Sequence, residues 1–520
     1  MSQNKEFLLD VCFLIASNAE KSYQKLSKTY SAIEPPTWAL LLAQSCRSVD
    51  FKVNILDANA ENLSNDEVLK RIEKLKPKVI CLVVYGQNVN AGTTNMSGAV
   101  NITNYLKLKK ISCPIVFIGS HVQALPKETL KNEKKIDVVF TNEGVYALRN
   151  FLKLKNFSSD ELKNIKGIAY RNKDNEIIIN LPEKVVPTDR MDIDLPGYAW
   201  DLLPYKKRPL DLYRSPMWHA EYDFEKRSPY ASLQTSLGCV FKCDFCMINL
   251  INRNDTDPIG VAGNYSNMRF WSPDFIIQEF DKLIEMGVET IRIVDEMFLL
   301  NPKYYVPLCK KLAERNKEDK LRMWSYSRID TVKRPEILNL VRKAGIKWLC
   351  LGIESGEKSV RLEVAKGKFE DVDVREVIKK VHAADINVMA NYIYGLPGDT
   401  KDSMKKTYDL SLELCTAGWN TYAAMALPGS QLYKNAVENN YKLPDRYEGY
   451  SFHSYETQPL PTDTLSPEEI LEYRDKSFNN YHTNQAFLEK IEEKFGKKAT
   501  ENIKNMTKVT LKRKILGHNT

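Results

Sequence analysis

Three cysteines, Cys239, Cys243 and Cys246, fall within eight residues, separated by three and then two residues. Three thiolates so spaced can wrap one compact metal centre. A structural zinc site wants four ligands. A [4Fe–4S] cluster held by three cysteines instead leaves one iron open for a substrate or cofactor. The spacing is not C-x2-C, and no histidine lies within an ordinary ligand interval. A cluster therefore explains the pattern better than a zinc knuckle or three unrelated thiols. The other seven of the ten cysteines (Cys12, Cys46, Cys81, Cys113, Cys309, Cys350, Cys415) are scattered. That density is too low for a disulfide scaffold, and packing is the role expected of them.

The elements around the cysteines predict a site at strand ends. Strand-like runs at Ser232–Ser236, Thr290–Val294, Leu321–Tyr326, Trp348–Gly352, Asn387–Tyr394 and Thr421–Leu427 alternate with helical stretches. Six such units over residues 231–435 predict an open, partial (β/α)6 barrel. Residues 1–150 show another alternation, with strands at Phe7–Ala16, Phe51–Leu56, Val79–Tyr85, Pro114–Ile118 and Asp137–Phe140. This predicts an α/β, doubly wound, Rossmann-like sheet, whose ligands sit beyond the carboxyl ends of the strands. The loops there are Gly86-Gln87-Asn88, Gly119-Ser120-His121 and Glu143-Gly144; none is GxGxxG. Residues 151–230 have little periodicity and read as a connector, and 436–520 as a lysine-rich helical C-terminal domain.

Composition narrows the function classes. Apolar residues make up 43% of the 520, and Lys plus Arg (75) barely exceed Asp plus Glu (67). A solvated surface accounts for that charge better than a nucleic-acid patch. No apolar run reaches the ~18 residues of a membrane span.

Cys239-x3-Cys243-x2-Cys246 after a first barrel strand resembles the radical S-adenosylmethionine (SAM) enzymes. Val294-Asp295-Glu296-Met297-Phe298, Gly352-Ile353-Glu354-Ser355 and Tyr394-Gly395-Leu396-Pro397-Gly398 match that family's SAM-binding strand ends. The resemblance implies that the three cysteines bind the cluster. It implies SAM contacts at Asp295, Glu296, Glu354, Ser355, Gly395 and Pro397, with Arg328 as a carboxylate partner. An α/β domain ahead of such a barrel is similar to the cobalamin-binding subgroup. Gly86, Gln87, Asn88, Gly119, Ser120, His121, Glu143 and Gly144 become candidate cobalamin contacts. No Asp-x-His-x-x-Gly follows the first strand, so a histidine lower ligand to cobalt is not expected.

The function so implied is radical C-methylation of a small polar metabolite through a 5′-deoxyadenosyl radical, with electrons from a flavodoxin- or ferredoxin-like reductant in a reducing cytoplasm. The alternatives are cyclisation, rearrangement or oxidation with the same cofactors, a methylthiotransferase using Cys12, Cys46 and Cys81 for a second cluster, and a non-catalytic sensor. Tyr326, Asn391 and Tyr422, with Arg292 and Arg322, are the side chains expected to face substrate.

Overall fold

A computed structural model describes residues 7–86, 91–332, 334–364 and 372–519. Gln87 and Asn88 lie outside the described residues. The first sheet has seven strands in the order β2-β1-β3-β4-β5-β6-β7. Five of them, β1 (Leu9–Ile15), β2 (Val53–Asp57), β3 (Pro77–Val83), β4 (Ile115–Ile118) and β5 (Val138–Phe140), are parallel. Helices cover both faces, so alternate residues of β1 enter different cores: Val11 and Phe13 join one, Cys12 and Leu14 the other. This is why the strand reads as one unbroken apolar run. Cys81 and Cys46 are buried in the same layers. Burial pushes the Cys12 and Cys46 thiols up to about 12 and raises Cys81 well above its usual value. Apolar burial disfavours the thiolate that a second cluster would require.

Part of the expected connector differs from its reading. Residues 168–179 form β6 (Ile168–Arg171) and β7 (Ile177–Ile179), two antiparallel strands that extend the first sheet. At four and three residues they are too short to carry a periodic signal. Further on, the Trp218 ring meets Trp324 edge-on at 4.9 Å and lies tilted 5.2 Å from Trp348, near the amino ends of two barrel strands.

The second sheet is the expected partial barrel. Its strands are β8 (Tyr230–Leu233), β11 (Thr290–Ile293), β12 (Arg322–Arg328), β13 (Ile346–Glu354), β14 (Asn387–Tyr394) and β15 (Gly418–Ala423). All are parallel and lie side by side in chain order. Between β8 and β11 runs a small antiparallel pair, β9 (Ser236–Cys239) with β10 (Asn267–Phe270).

Helices Pro467–His482, Gln485–Phe495 and Lys497–Thr507 make up most of the C-terminal region. The first starts at a capping box: Ser466 accepts from the Glu469 amide, and Glu469 in turn accepts from the Ser466 amide. Ahead of it, residues 439–466 contain only a short 3-10 turn, Tyr447–Tyr450. That stretch crosses to the first domain, where Tyr447 Oη donates to Glu133 at 2.8 Å and Ser451 Oγ to Ser22 O at 2.7 Å. Among the described residues no helix is long and apolar enough to cross a membrane.

Candidate functional site

The cysteine loop leaves β9 through Gly238, whose φ of +81° is left-handed. A Cβ there would collide with Asn267 O and press on Asn252 Nδ2, so glycine is required for conformation and for space. The Cys239 amide donates to Asn249 Oδ1 at 2.8 Å, and Asn249 Nδ2 returns to Phe241 O at 3.3 Å. Asn249 thereby pins the loop from the turn that follows it. The three cysteines open onto one cavity of about 190 Å³, together with Glu296, Arg328 and Glu354.

The electrostatics of this cavity favour a cationic guest. Burial raises Cys239 to about 11, Cys243 to about 12 and Cys246 well above its usual value. Charge on any one thiol opposes charge on the others. A bound metal centre reverses this, since a coordinated thiol is deprotonated outright. An all-sulfur donor set suits an iron–sulfur cluster. Arg328 lies 3.7 Å from the Phe241 ring and pairs with Asp330, closing one side.

The acidic candidates separate. Glu296 and Glu354 face the cysteine cavity, and burial pushes each up to about 7. Glu354 arrives there through a register shift between β13 and β14 and a φ of +64°. The bulge re-aims its carboxylate into the cavity. Asp295, expected beside them, is turned away. Its carboxylate accepts from the Thr235 amide, Thr235 Oγ1 and Ser236 Oγ, each at 2.6 Å. It therefore braces the root of the cysteine loop. Ser355 is also engaged elsewhere, 3.2 Å from Thr407 Oγ1. Gly395 and Pro397 are absent from the cavity wall. The Gly395 amide donates to Asp399 Oδ2 at 2.9 Å, and the residue packs on Ile470.

A second cavity, of about 150 Å³, lies beyond the carboxyl ends of β1–β3 and reaches the cysteine loop. Asn59, Tyr85 and Gly86 face it from the first domain, Gln234, Gly238 and Val294 from the barrel. Amides, hydroxyls, rings and the Glu34 carboxylate line it, with no histidine among the described lining residues. The other described candidates, Gly119, Ser120, His121, Glu143 and Gly144, are not among the residues lining this cavity. His121 is buried against Tyr447, its Nδ1 3.2 Å from Thr93 Oγ1, and burial holds it down to about 3. Glu143 forms a buried ion pair with Arg269 at 2.7 Å and accepts from the Val186 amide at 2.6 Å. Gly119 allows close approach to Val84 O. Ser120 follows it as the first residue of helix Ser120–Ala124, and Gly144 precedes helix Val145–Leu152.

A third cavity, of about 510 Å³, occupies the barrel interior. It shares Tyr326, Asn391, Tyr422 and Phe452 with the cysteine cavity, and Tyr23, Glu34 and Thr94 with the inter-domain cavity. Arg292 faces it, held by buried Glu34 at 2.6 Å and lying 4.6 Å over the Trp324 ring. Arg322 does not: at the amino end of β12 it turns to Thr290 and Glu289. Arg474 and His453 also form this wall. They come from the C-terminal region, where no local pattern marks them.

Two family models match the chain: the B12 binding domain over residues 25–152, and the radical SAM superfamily over residues 233–411. An anaerobic magnesium-protoporphyrin IX monomethyl ester cyclase of Cereibacter sphaeroides is 24% identical over 86% of this chain and 66% of its own length. An uncharacterized methyltransferase of Pyrococcus horikoshii is 24% identical over 80% of this chain and 82% of its own. Among solved structures, the radical SAM methyltransferase TsrM from Kitasatospora setae, bound to tryptophan and a SAM analogue, superposes with a TM-score of 0.64. It is 14% identical, over 96% of this chain and 99% of that one, and establishes likeness of fold.

Proposed function

We propose that this chain, a radical SAM protein with a B12-binding domain, is an enzyme that C-methylates a small polar molecule held in the 510 Å³ cavity. The observation that carries the reading is the continuity of the three cavities. The cysteine loop, the barrel interior and the crevice of the first sheet share walls at Tyr326, Asn391, Tyr422 and Glu34. Cys239, Cys243 and Cys246 would hold the [4Fe–4S] cluster, Glu296 and Glu354 the SAM beside it, and the crevice at Asn59, Tyr85 and Gly86 the cobalamin. Bound there, the cluster with SAM supplies a hydrogen-abstracting radical, and cobalamin a transferable methyl group.

The chain's own part is positioning and exclusion of water. Half-ionised near neutral pH, Glu296 and Glu354 accept hydrogen bonds from ammonium or hydroxyl groups. Tyr326, Asn391 and Tyr422 orient the substrate between the other two cavities. Trp218, packed edge-on against Trp324, closes the cavity at the amino ends of the strands. A flavodoxin- or ferredoxin-like reductant and a reducing cytoplasmic setting belong to the same reading.

The test is anaerobic reconstitution with iron, sulfide and hydroxocobalamin, followed by SAM and a reductant. 5′-Deoxyadenosine is expected above a Cys243→Ala control, with corrin retained through gel filtration. Failure to form it sinks the radical assignment. S-Adenosylhomocysteine formed alongside marks methylation, and its absence in a substrate-consuming reaction favours cyclisation, rearrangement or oxidation.

A further inference from the structure

A buried cluster at the wall of the 510 Å³ cavity, to which Arg474 and Asp475 contribute lining residues, carries more positive than negative charge. Arg474, on helix Pro467–His482, and Arg513 have side chains 3% and 0% exposed, and both turn to one carboxylate, Asp475. Arg474 Nη1 donates to Asp475 Oδ1 at 2.9 Å, and Arg513 Nε to Oδ2 at 2.8 Å. The rest of Arg513 is satisfied by Ser454 O and Thr457 Oγ1, each at 2.9 Å. Arg474 Nε donates to Thr421 O at 3.0 Å. Its Nη2 is buried with no hydrogen-bond partner, in a residue that lines the cavity.

The other charges facing this cavity are already matched. Arg292 is balanced in charge by Glu34 through Nη1, although its Nε and Nη2 also lack hydrogen-bond partners, and exposed Glu472 and Lys476 pair with each other at 2.8 Å. His453 is neutral: burial, then Arg474 and Arg513, hold it down to about 3 against the opposing pull of Asp475. One guanidinium charge therefore remains uncompensated. Burying a charge without a partner is strongly unfavourable, and a buried donor left unsatisfied adds to the cost.

We infer that the substrate carries an anionic oxygen group, a carboxylate or a phosphate, and that Arg474 Nη2 donates to it. This rests on the reading of the cavity as the substrate site. The anion restores charge balance and satisfies the orphan donor in one contact. It fixes one end of the substrate at the C-terminal helix and leaves the remainder along the wall that Tyr422 and Phe452 share with the cysteine cavity.

The experiment uses the full chain reconstituted with cluster and cobalamin, and calorimetry with benzoate, phenyl phosphate and neutral benzamide. At least one anion is expected to bind tenfold or more tightly than benzamide. Arg474→Gln is expected to remove at least tenfold of that affinity, and Arg474→Lys to keep part of it. A preference for phenyl phosphate assigns a phosphate, and a preference for benzoate a carboxylate. Equal binding of anions and benzamide by the wild type overturns the inference, as does Arg474→Gln with undiminished anion affinity. Because Arg474 also bonds Thr421 and Asp475, the wild-type comparison and Arg474→Lys decide the matter if the glutamine variant misfolds. SAM cleavage measured on the same wild-type preparation separates the two readings. Cleavage without anion preference refutes the anion site alone, and anion binding without cleavage refutes the enzymatic reading alone.

Discussion

Glu143→Gln tests whether the contact between the two domains is electrostatic in the way the structure requires. The Glu143 and Arg269 side chains are 1% and 2% exposed, with 2.7 Å between their charged atoms. Glutamine keeps the volume and an acceptor for the Val186 amide but leaves the Arg269 charge unmatched. Removing one partner of a buried pair costs about 3–5 kcal/mol, which is on the order of 10²–10⁴ in the local opening equilibrium. The natural assay is hydrogen–deuterium exchange by mass spectrometry at Val186, whose amide donates to Glu143, and along Asn267–Phe270, the strand that carries Arg269. Both segments should exchange faster by that factor. Arg269 also holds Asn252 Oδ1 at 2.8 Å, and Asn252 in turn donates to Asn267 O beside the cysteine loop. Iron content should therefore fall as well. Replacing both charges, as Glu143→Gln with Arg269→Met, should recover much of the loss. Acceleration below threefold in the single variant refutes the reasoning.

Other perturbations have equally definite outcomes. Gly238→Ala places a Cβ against Asn267 O and should at least halve the iron bound per chain, by colorimetric assay, while circular dichroism stays unchanged. Asp57 is raised from 3.8 to about 6 by burial, against opposing hydrogen bonds from Ala60 and Tyr213. The native state thus keeps a proton that the unfolded chain releases. The stability this contributes is full below about pH 3.8 and is lost as pH rises through about 6, by about 3 kcal/mol in all. Urea melts of wild type and Asp57→Asn across that window should converge or cross accordingly, and parallel curves count against it. Glu34→Gln should lower the thermal midpoint clearly more than Glu472→Gln, because only the first strips a buried arginine of its partner.

The parts of this molecule written in local pattern were legible in the sequence. The cysteine spacing and the apolar runs of β1, β3 and β4 needed no tertiary information. Legibility failed where neighbouring residues point opposite ways. Asp295 and Glu296 are adjacent at the end of one strand, yet only Glu296 enters the cavity, a parity no local signal sets. Glu354 reaches the cavity through a bulge and a left-handed backbone that a glutamate in a strand does not announce. Glu143 looked like a ligand contact because a polar residue beyond a strand's carboxyl end is indistinguishable, in sequence, from half of an ion pair whose partner lies more than a hundred residues away. Arg474 and His453 were invisible for the same reason, and β6 and β7 because of their brevity.

The crossing of residues 439–466 to the first domain has a consequence for assembly. Gln24 Nε2 donates to both His453 O and Lys512 O, at 2.8 and 3.0 Å, and the Lys512 amide donates back to Gln24 Oε1 at 3.1 Å. Contacts of such sequence separation form late, after shorter-range pairing has reduced the entropy of closing the loop. The cysteine loop and its bracing residues, Thr235, Asn249 and Asp295, lie within about sixty residues of one another. A nascent chain can therefore present its thiols to an iron–sulfur carrier while the wall formed by Tyr450, His453 and Arg474 is still missing.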